Sequence, residues 1–498
     1  MRVEDSRASP RLLTPPIAML HGSRNEAHRL LGLFEFSHVR AIVTTACCLA
    51  VAAAVAFYPT YEGLSEAGHR TMFVLVFAAG MWITEAIPAF ATSLLAIGSL
   101  IALLGKPDGV YAVTDKDWEQ FIAPWGSPLI WLFFGGFCLA ASAEKTGLDR
   151  WLAARALGLF GQRPAMLLLG VMLVTAVLSM FVSNTATATL VLAMLTPLFA
   201  SRPAGDGVTK ALALGVAMAA NLGGMGTVIG TPPNAIAAGL LTGESSVNFA
   251  EWMALAAPPA FVLIGVAWGY LVLTQLRGVA FSDNEGLLFH AGAAADAVPK
   301  LKQLVVVATF TVTVGLWITS PLHGLPTTMI SLVPITALTA TGILTGDDIR
   351  SLPWDILLLI TGGLSLGVAM DKTGLAEWAV ALLPIDGLAP MALVIGFGYA
   401  TILMSNLMSN TATANLVLPI AIAVLEALPA TGGDARLAVP IALAASAAMC
   451  LPISTPPNAI VYGAGYLRVK DLLFAGVFIG LIAPPLVALW AWLALGWL

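Results

Sequence analysis

Four short segments of this 498-residue chain occur twice, in the same order and at nearly the same separation. Glu144–Leu148 (EKTGL) is matched 227 residues later by Asp371–Leu375 (DKTGL), and Gly135-Gly136 is matched by Gly362-Gly363 at the same offset. Ser183–Leu190 (SNTATATL) is matched by Ser409–Leu416 (SNTATANL) at an offset of 226, and Thr231–Ile236 (TPPNAI) by Thr455–Ile460 at 224. Chance low complexity does not hold four anchors in register across half a chain, so the sequence is an internal duplication. Whatever it folds into is built from two copies of one unit.

The solvent of that unit is lipid. Hydrophobic residues make up 58% of the chain and charged residues 10%, against about 25% charged in an ordinary soluble domain. Too few charges remain to coat a water-facing surface, which excludes a cytosolic enzyme, a secreted disulfide scaffold and a disordered chain. An all-α polytopic membrane protein in a cell (inner or plasma) membrane is left. The net charge of −5 comes without a basic patch interleaved with aromatics, so nucleic acid is not an expected partner. Cys47, Cys48, Cys138 and Cys450 all lie in apolar runs and read as small buried hydrophobes, with no CxxC or Cys/His cluster to hold a metal. The 13 tryptophans read mostly as interface belts.

Residues 1–40 carry Arg2, Arg7, Arg11, Arg24, Arg29 and Arg40 and no signal-peptide core. They read as a cytoplasmic tail with a short amphipathic stretch around Leu30–Phe36. Residues 41–70 hold a first transmembrane helix and its loop, 71–276 the first repeat, 277–302 a polar cytoplasmic linker and 303–498 the second repeat. A span needs about 20 apolar residues. Counted that way, the chain predicts about eleven transmembrane helices plus two re-entrant hairpins whose tips are the SNT segments. Arg150, Arg155 and Arg163 follow the first KTGL. The second is followed, before its tip, by Glu377 and Asp386 and by no Lys or Arg. Basic residues mark the cytoplasmic side, so the two copies face opposite sides. An N-inside, C-outside arrangement leaves 18 Lys/Arg inside and only Arg70, Lys106, Lys116, Lys372 and Arg436 outside. Inverted repeats with broken helices are the mark of a secondary transporter.

The breaks themselves can bind ions. At Ser183-Asn184-Thr185 and Ser409-Asn410-Thr411 one apolar helix ends and another begins, and unwound backbone at that depth must be satisfied by protein, water or ligand. The arm after each tip offers free N–H groups and a positive dipole end. Hydroxyls and the Asn amide can donate to an anion, while the Asn carbonyl, Ser hydroxyl and free backbone carbonyls can ligate Na+. Gly230-Thr231-Pro232-Pro233-Asn234 and Ser454-Thr455-Pro456-Pro457-Asn458 break a helix with tandem prolines and expose the carbonyls of its last turn. Ser179 and Ser405 stand four residues before the tips, on the same helix face. None of these four motifs contains Lys, Arg, Asp, Glu or His. That favours an anion held by neutral donors and helix ends, its charge cancelled by sodium, and two sites give at least two Na+ for a divalent anion. Glu85, beside Pro88, reads as a packed or water-exposed turn carboxylate, and Gly135-Gly136 and Gly362-Gly363 as packing glycines.

At these residues the sequence resembles the divalent anion/sodium symporter family of dicarboxylate, citrate and sulfate carriers. The paired SNT and TPPN segments and Trp82–Pro88 (WITEAIP) carry the resemblance over residues 70–498. It implies a homodimer in which a transport domain moves like an elevator against a fixed scaffold. It implies a first sodium site of Ser179, Ser183, Asn184 and the Gly230 carbonyl. A second follows from Ser405, Met408, Asn410 and Ser454, with Met408 and Ser454 acting through backbone carbonyls. The substrate carboxylates would meet Asn184, Thr185, Thr231, Asn410, Thr411, Thr455 and Pro456. Many relatives have Thr where this chain has Ser405, and the hydroxyl is kept. The leading expectation is Na+-coupled uptake of a C4-dicarboxylate such as succinate, malate or fumarate. A sodium-independent dicarboxylate or citrate exchanger and a sulfate carrier follow within the same class. An ion channel or an intramembrane enzyme is the reading from a different class, and the sequence offers no nucleophile–base pair for an enzyme.

Overall fold

The computed structural model describes residues 39–58, 61–107, 110–160, 163–203, 205–277, 300–382, 389–428 and 434–496, and every regular element among them is a helix. Nearly all of the expected tail, its amphipathic stretch, and most of the 277–302 linker lie outside the described residues.

After α1 (Val39–Phe57) the first half runs α2 (Glu66–Thr84), α3 (Ala89–Leu103), α4 (Glu119–Ile122), α5 (Pro128–Lys145), α6 (Leu148–Leu157), α7 (Pro164–Ser179), α8 (Asn184–Ala200), α9 (Gly207–Gly224), α10 (Pro232–Leu240) and α11 (Phe249–Gln275). The second half runs α12 (Lys300–Ile318), α13 (Ser320–His323), α14 (Thr327–Ala340), α15 (Gly346–Arg350), α16 (Trp354–Lys372), α17 (Leu375–Ala381), α18 (Pro390–Ser405), α19 (Asn410–Ala427), α20 (Val439–Ala447), α21 (Pro456–Gly463) and α22 (Val469–Leu495). The same succession occurs in both: a helix pair, a long helix, a short one, two arms about a tip, a broken helix and a 27-residue closing helix. Among the described residues, seven helical runs are long and apolar enough to cross a membrane, and six shorter apolar helices accompany them.

Local chemistry sets the boundaries. Ser65 caps α2 by accepting from the Gly68 N–H, and Asn248 with Glu251 forms a capping box on α11. Helix α2 ends at Glu85, which is exposed and left-handed at φ 47°, so the turn reading of this carboxylate holds. The KTGL segments are the corners between α5 and α6 and between α16 and α17, turned by Gly147 at φ 62° and Gly374 at φ 72°. Each corner is tied to the other half. The Thr146 carbonyl accepts from Gln303 Nε2 at 3.1 Å, and the Thr373 carbonyl from Ser65 Oγ at 3.1 Å. Lys145 adds an ion pair to Asp348 on α15, and that lysine with the Thr345 hydroxyl and N–H pulls the Asp348 carboxyl down to about 2.

The two halves exchange partners. Helix α3 lies on α16 and α14 lies on α5. The paired glycines make these contacts: a Cβ on Gly362 would fall 2.3 Å from Ser93 Cβ, and one on Gly135 would fall 2.8 Å from the Ser331 carbonyl. Gly136 faces Ile229 beside the first TPPN break, and Gly363 faces Asn415 on α19. The expectation of packing glycines is borne out. One expectation needs correcting. Cys48 and Cys138 are buried, but Cys47 is exposed and Cys450 half-buried, because they fall on the outward face of α1 and in an unwound segment. Trp82, Trp252 and Trp317 are fully buried, and two of them spend their indole N–H on backbone carbonyls, Trp82 on Ala89 and Trp252 on Met225.

Candidate ion and anion site at the helix breaks

The chain leaves helical geometry at both tips. Helix α7 ends at Ser179, and Ser183 turns out at ψ 141°; α18 ends at Ser405, and Ser409 turns out at ψ 145°. The hydroxyls of Ser183 and Ser409 then accept from the N–H groups of Ala186 and Ala412, each at 3.2 Å. These two serines cap α8 and α19, which leaves only the remaining N–H groups of each first turn for a ligand.

The proline breaks are held open by their own asparagines. Asn234 Nδ2 donates to the carbonyls of Gly224, Met225 and Thr227 at 3.0, 3.2 and 2.7 Å. Asn458 Nδ2 donates to those of Met449 and Leu451 at 2.9 and 3.0 Å. Each therefore wraps the unwound backbone just before its own helix and satisfies carbonyls left free where the preceding helix ends.

The tips and breaks meet through the buried serines. Ser179 Oγ donates to the Ala220 carbonyl of α9 at 2.7 Å and lies 2.6 Å from Asn184 Oδ1. Ser405 Oγ repeats this with the Ala445 carbonyl at 3.2 Å and Asn410 Oδ1 at 2.7 Å. A hydroxyl has one proton, and neither acceptor carries one. In each copy, then, the hydroxyl, the amide and a helix-end carbonyl crowd together around a single hydroxyl proton. Neutral hydroxyl, amide and backbone oxygens gathered in this way are a donor set that suits Na+. The amide Nδ2 groups of Asn184 and Asn410 have no partner among the described residues and are left to donate elsewhere.

Most of the sequence-derived residues converge. Gly224 is the hub of the first copy: a Cβ there would fall 2.6 Å from both Asn184 Oδ1 and Thr231 Cγ2, and its own carbonyl lies against Gly230. The breaks are also joined to each other, with Thr231 Oγ1 3.2 Å from Ser446 Oγ and Asn221 Nδ2 donating to Thr455 Oγ1 at 3.0 Å. Thr231, Thr455 and Ser454 are buried, Thr411 is half-buried, and Thr185 and Pro456 are exposed. The Met408 side chain belongs to the apolar cluster around Trp82 and Leu104, so only its carbonyl is free for a ligand.

Sequence reasoning missed several contributors. The Ala220 and Ala445 carbonyls carry no side-chain signal. Asn221 and Ser446 were visible as polar residues in apolar runs at nearly the repeat offset. Asn406 was visible too, since Ser405-Asn406 anticipates Ser409-Asn410 by four residues.

The family model described as the sodium:sulfate symporter transmembrane region matches residues 39–498. The sodium-dependent dicarboxylate transporter SdcS of Staphylococcus aureus, in strains bovine RF122 / ET3-1 and NCTC 8325 / PS 47, is 32% identical over 474 residues, 87% of this chain and 86% of that protein. Among solved structures, the YdaH transporter of Alcanivorax borkumensis aligns with TM-score 0.53 at 16% identity over 82% of this chain and 98% of its own. MtrF of Neisseria gonorrhoeae, described with a class of antimetabolite efflux pumps, aligns with TM-score 0.54 at 14% identity over 89% and 97%. These last two share the fold of this chain.

Proposed function

This chain belongs to the sodium:sulfate symporter family, and from that premise we propose that it is a secondary carrier coupling Na+ entry to uptake of a C4-dicarboxylate such as succinate, malate or fumarate. The observation that carries this reading is the repeated oxygen pair, Ser179 with Asn184 and Ser405 with Asn410, each beside a helix-end carbonyl. The name of the SdcS relative, a sodium-dependent dicarboxylate transporter, supports the same substrate class.

The first sodium sits among Ser179, Ser183, Asn184 and the Gly230 carbonyl. The second sits among Ser405, Asn410 and the carbonyls of Met408 and Ser454. One ion orients each Asn through Oδ1, so its Nδ2 protons point at the anion. Asn184 and Thr185 then hold one carboxylate and Asn410 and Thr411 the other, with Thr231, Thr455 and Pro456 lining the space between. With no cation, the uncharged cleft offers the dianion too little countercharge, which makes substrate binding follow sodium. Counting α9 with α10 and α20 with α21 as single broken crossings, and α7/α8 and α18/α19 as re-entrant hairpins, gives eleven crossings in two inverted repeats, with the N-terminus and the 277–302 linker in the cytoplasm and the C-terminus outside. The protein works as a homodimer whose transport unit moves past a fixed scaffold.

Uptake of labelled succinate into proteoliposomes, with and without an inward Na+ gradient, tests the reading. Accumulation that requires sodium and saturates with succinate supports it; uptake indifferent to sodium overturns the coupling, and uptake that never saturates makes the protein a channel. A sulfate carrier is the second reading, favoured by the description of the family. Competition by sulfate, citrate and malate in the same assay decides between them.

A further inference from the structure

The two breaks are not chemically equivalent. Asn406, one residue past the end of α18, accepts at Oδ1 from the Cys450 N–H at 2.8 Å and from the Ser454 hydroxyl at 2.9 Å. Its Nδ2 donates to the Ile402 carbonyl at 2.8 Å. Ser454 Oγ in turn accepts from the Leu451 N–H at 3.0 Å. One amide thus brackets both ends of the unwound 450–454 segment against the end of α18, in a place where Asn406 is only 9% exposed. At the repeat offsets the corresponding residues of the first copy are Met180 and Gly230, which have no polar side chain. There the tie runs the other way, from the Thr227 hydroxyl to the Met180 carbonyl.

We propose that Asn406 is a positioning residue for the second ion site, fixing the 450–454 backbone so that the Ser454 carbonyl meets the cation held by Ser405 and Asn410. This rests on the sodium-coupled reading above. Sodium is held by several weak oxygen ligands, so its affinity depends on their being placed before it arrives, and outer partners of a metal ligand commonly alter affinity by about ten- to a hundred-fold. Without the Asn406 acceptor, the Cys450 N–H and the Ser454 hydroxyl lose their shared partner, and the segment is free to swing its carbonyls off the ion.

The test uses the purified full-length protein. Its thermal midpoint is titrated with NaCl against choline chloride at constant ionic strength, and succinate uptake is followed over the same sodium range. Asn406→Ala is expected to raise the half-saturating sodium concentration about tenfold in both assays, with the succinate KM at saturating sodium unchanged. Asn406→Asp keeps an oxygen facing both donors but loses the donation to the Ile402 carbonyl, and is expected to half-saturate between the wild-type and Ala concentrations. Where Asn406→Ala does not fold, Asn406→Leu keeps the volume without the acceptor and takes its place. An unchanged sodium dependence in the Ala or Leu variant overturns the proposal, as does a lower maximal rate with no shift in half-saturation. An Asp variant as weak as Ala also overturns it. A wild-type protein that sodium fails to stabilise over choline overturns the sodium-coupled reading instead, so the two failures are distinct.

Discussion

At Gly224 the first break has no room for a side chain. The added carbon of Gly224→Ala would press on the Asn184 amide and on Thr231 together, and overpacking of this kind costs about 1–3 kcal/mol. The variant is expected to fold with a lowered thermal midpoint and to lose sodium-dependent uptake, measured in proteoliposomes. Asn184→Ala and Asn410→Ala are each expected to abolish sodium-dependent succinate uptake while the protein still elutes as a single species in detergent; undiminished uptake in both removes the site assignment. What the sequence reveals at this scale is what lies close along the chain. The four-residue spacing put Ser179 on the face of Ser183; its contact with Asn184, five residues on across the break, was implied only by the family resemblance. The Ala220 carbonyl, 41 residues from Ser179, comes from backbone alone, and no residue type announces it.

Elements were legible wherever chemistry stops a helix. Tandem prolines at 232–233 and 456–457 and the Ser-Asn tips mark boundaries that the structure keeps to within a few residues. What the pattern did not announce is the pair of anchored corners, because Gln303 and Ser65 reach them from the opposite half of the chain. At Gly147 and Gly374 a Cβ meets nothing, so only the left-handed backbone resists it. Gly147→Ala and Gly374→Ala are each expected to cost about 1 kcal/mol, and the two add in the double variant because the corners share no partner. Thermal midpoints of the single and double variants check this. The Lys145–Asp348 pair adds a pH signature. The Asp348 carboxyl is lowered from 3.8 to about 2 in the folded chain. Its stabilising contribution is therefore fully present above about pH 4 and is lost as pH falls through the folded value near 2. Asp348→Asn is expected to flatten the fall of the thermal midpoint over that window without changing the midpoint's dependence at neutral pH.

Across the whole molecule, the duplication was readable from four motifs, but the way the copies interlock was not, since residues more than 200 apart follow no local period. Asn221 with Thr455 and Ser446 with Thr231 join the halves at their breaks. Asn221→Ala removes the donor to the buried Asn458 Oδ1, while the Thr455 hydroxyl keeps the Asn458 N–H. It is expected to cost about 1–3 kcal/mol, read as a lowered thermal midpoint. The proposed orientation makes its own forecast: alkaline phosphatase fused after Leu498 is active in a bacterial host, and the same enzyme fused within 277–302 is not.

Because α3 rests on α16 and α14 on α5, neither half owns all the surfaces it needs. During synthesis the strip of α3 around Ser93 stays bare until Gly362 has left the ribosome and entered the bilayer, some 270 residues later. The newborn first half must be sheltered through that interval by the insertion machinery or by lipid. A chain terminated at Gln275 is expected to be cleared by membrane proteases, and co-production of residues 276–498 as a separate polypeptide is expected to rescue it.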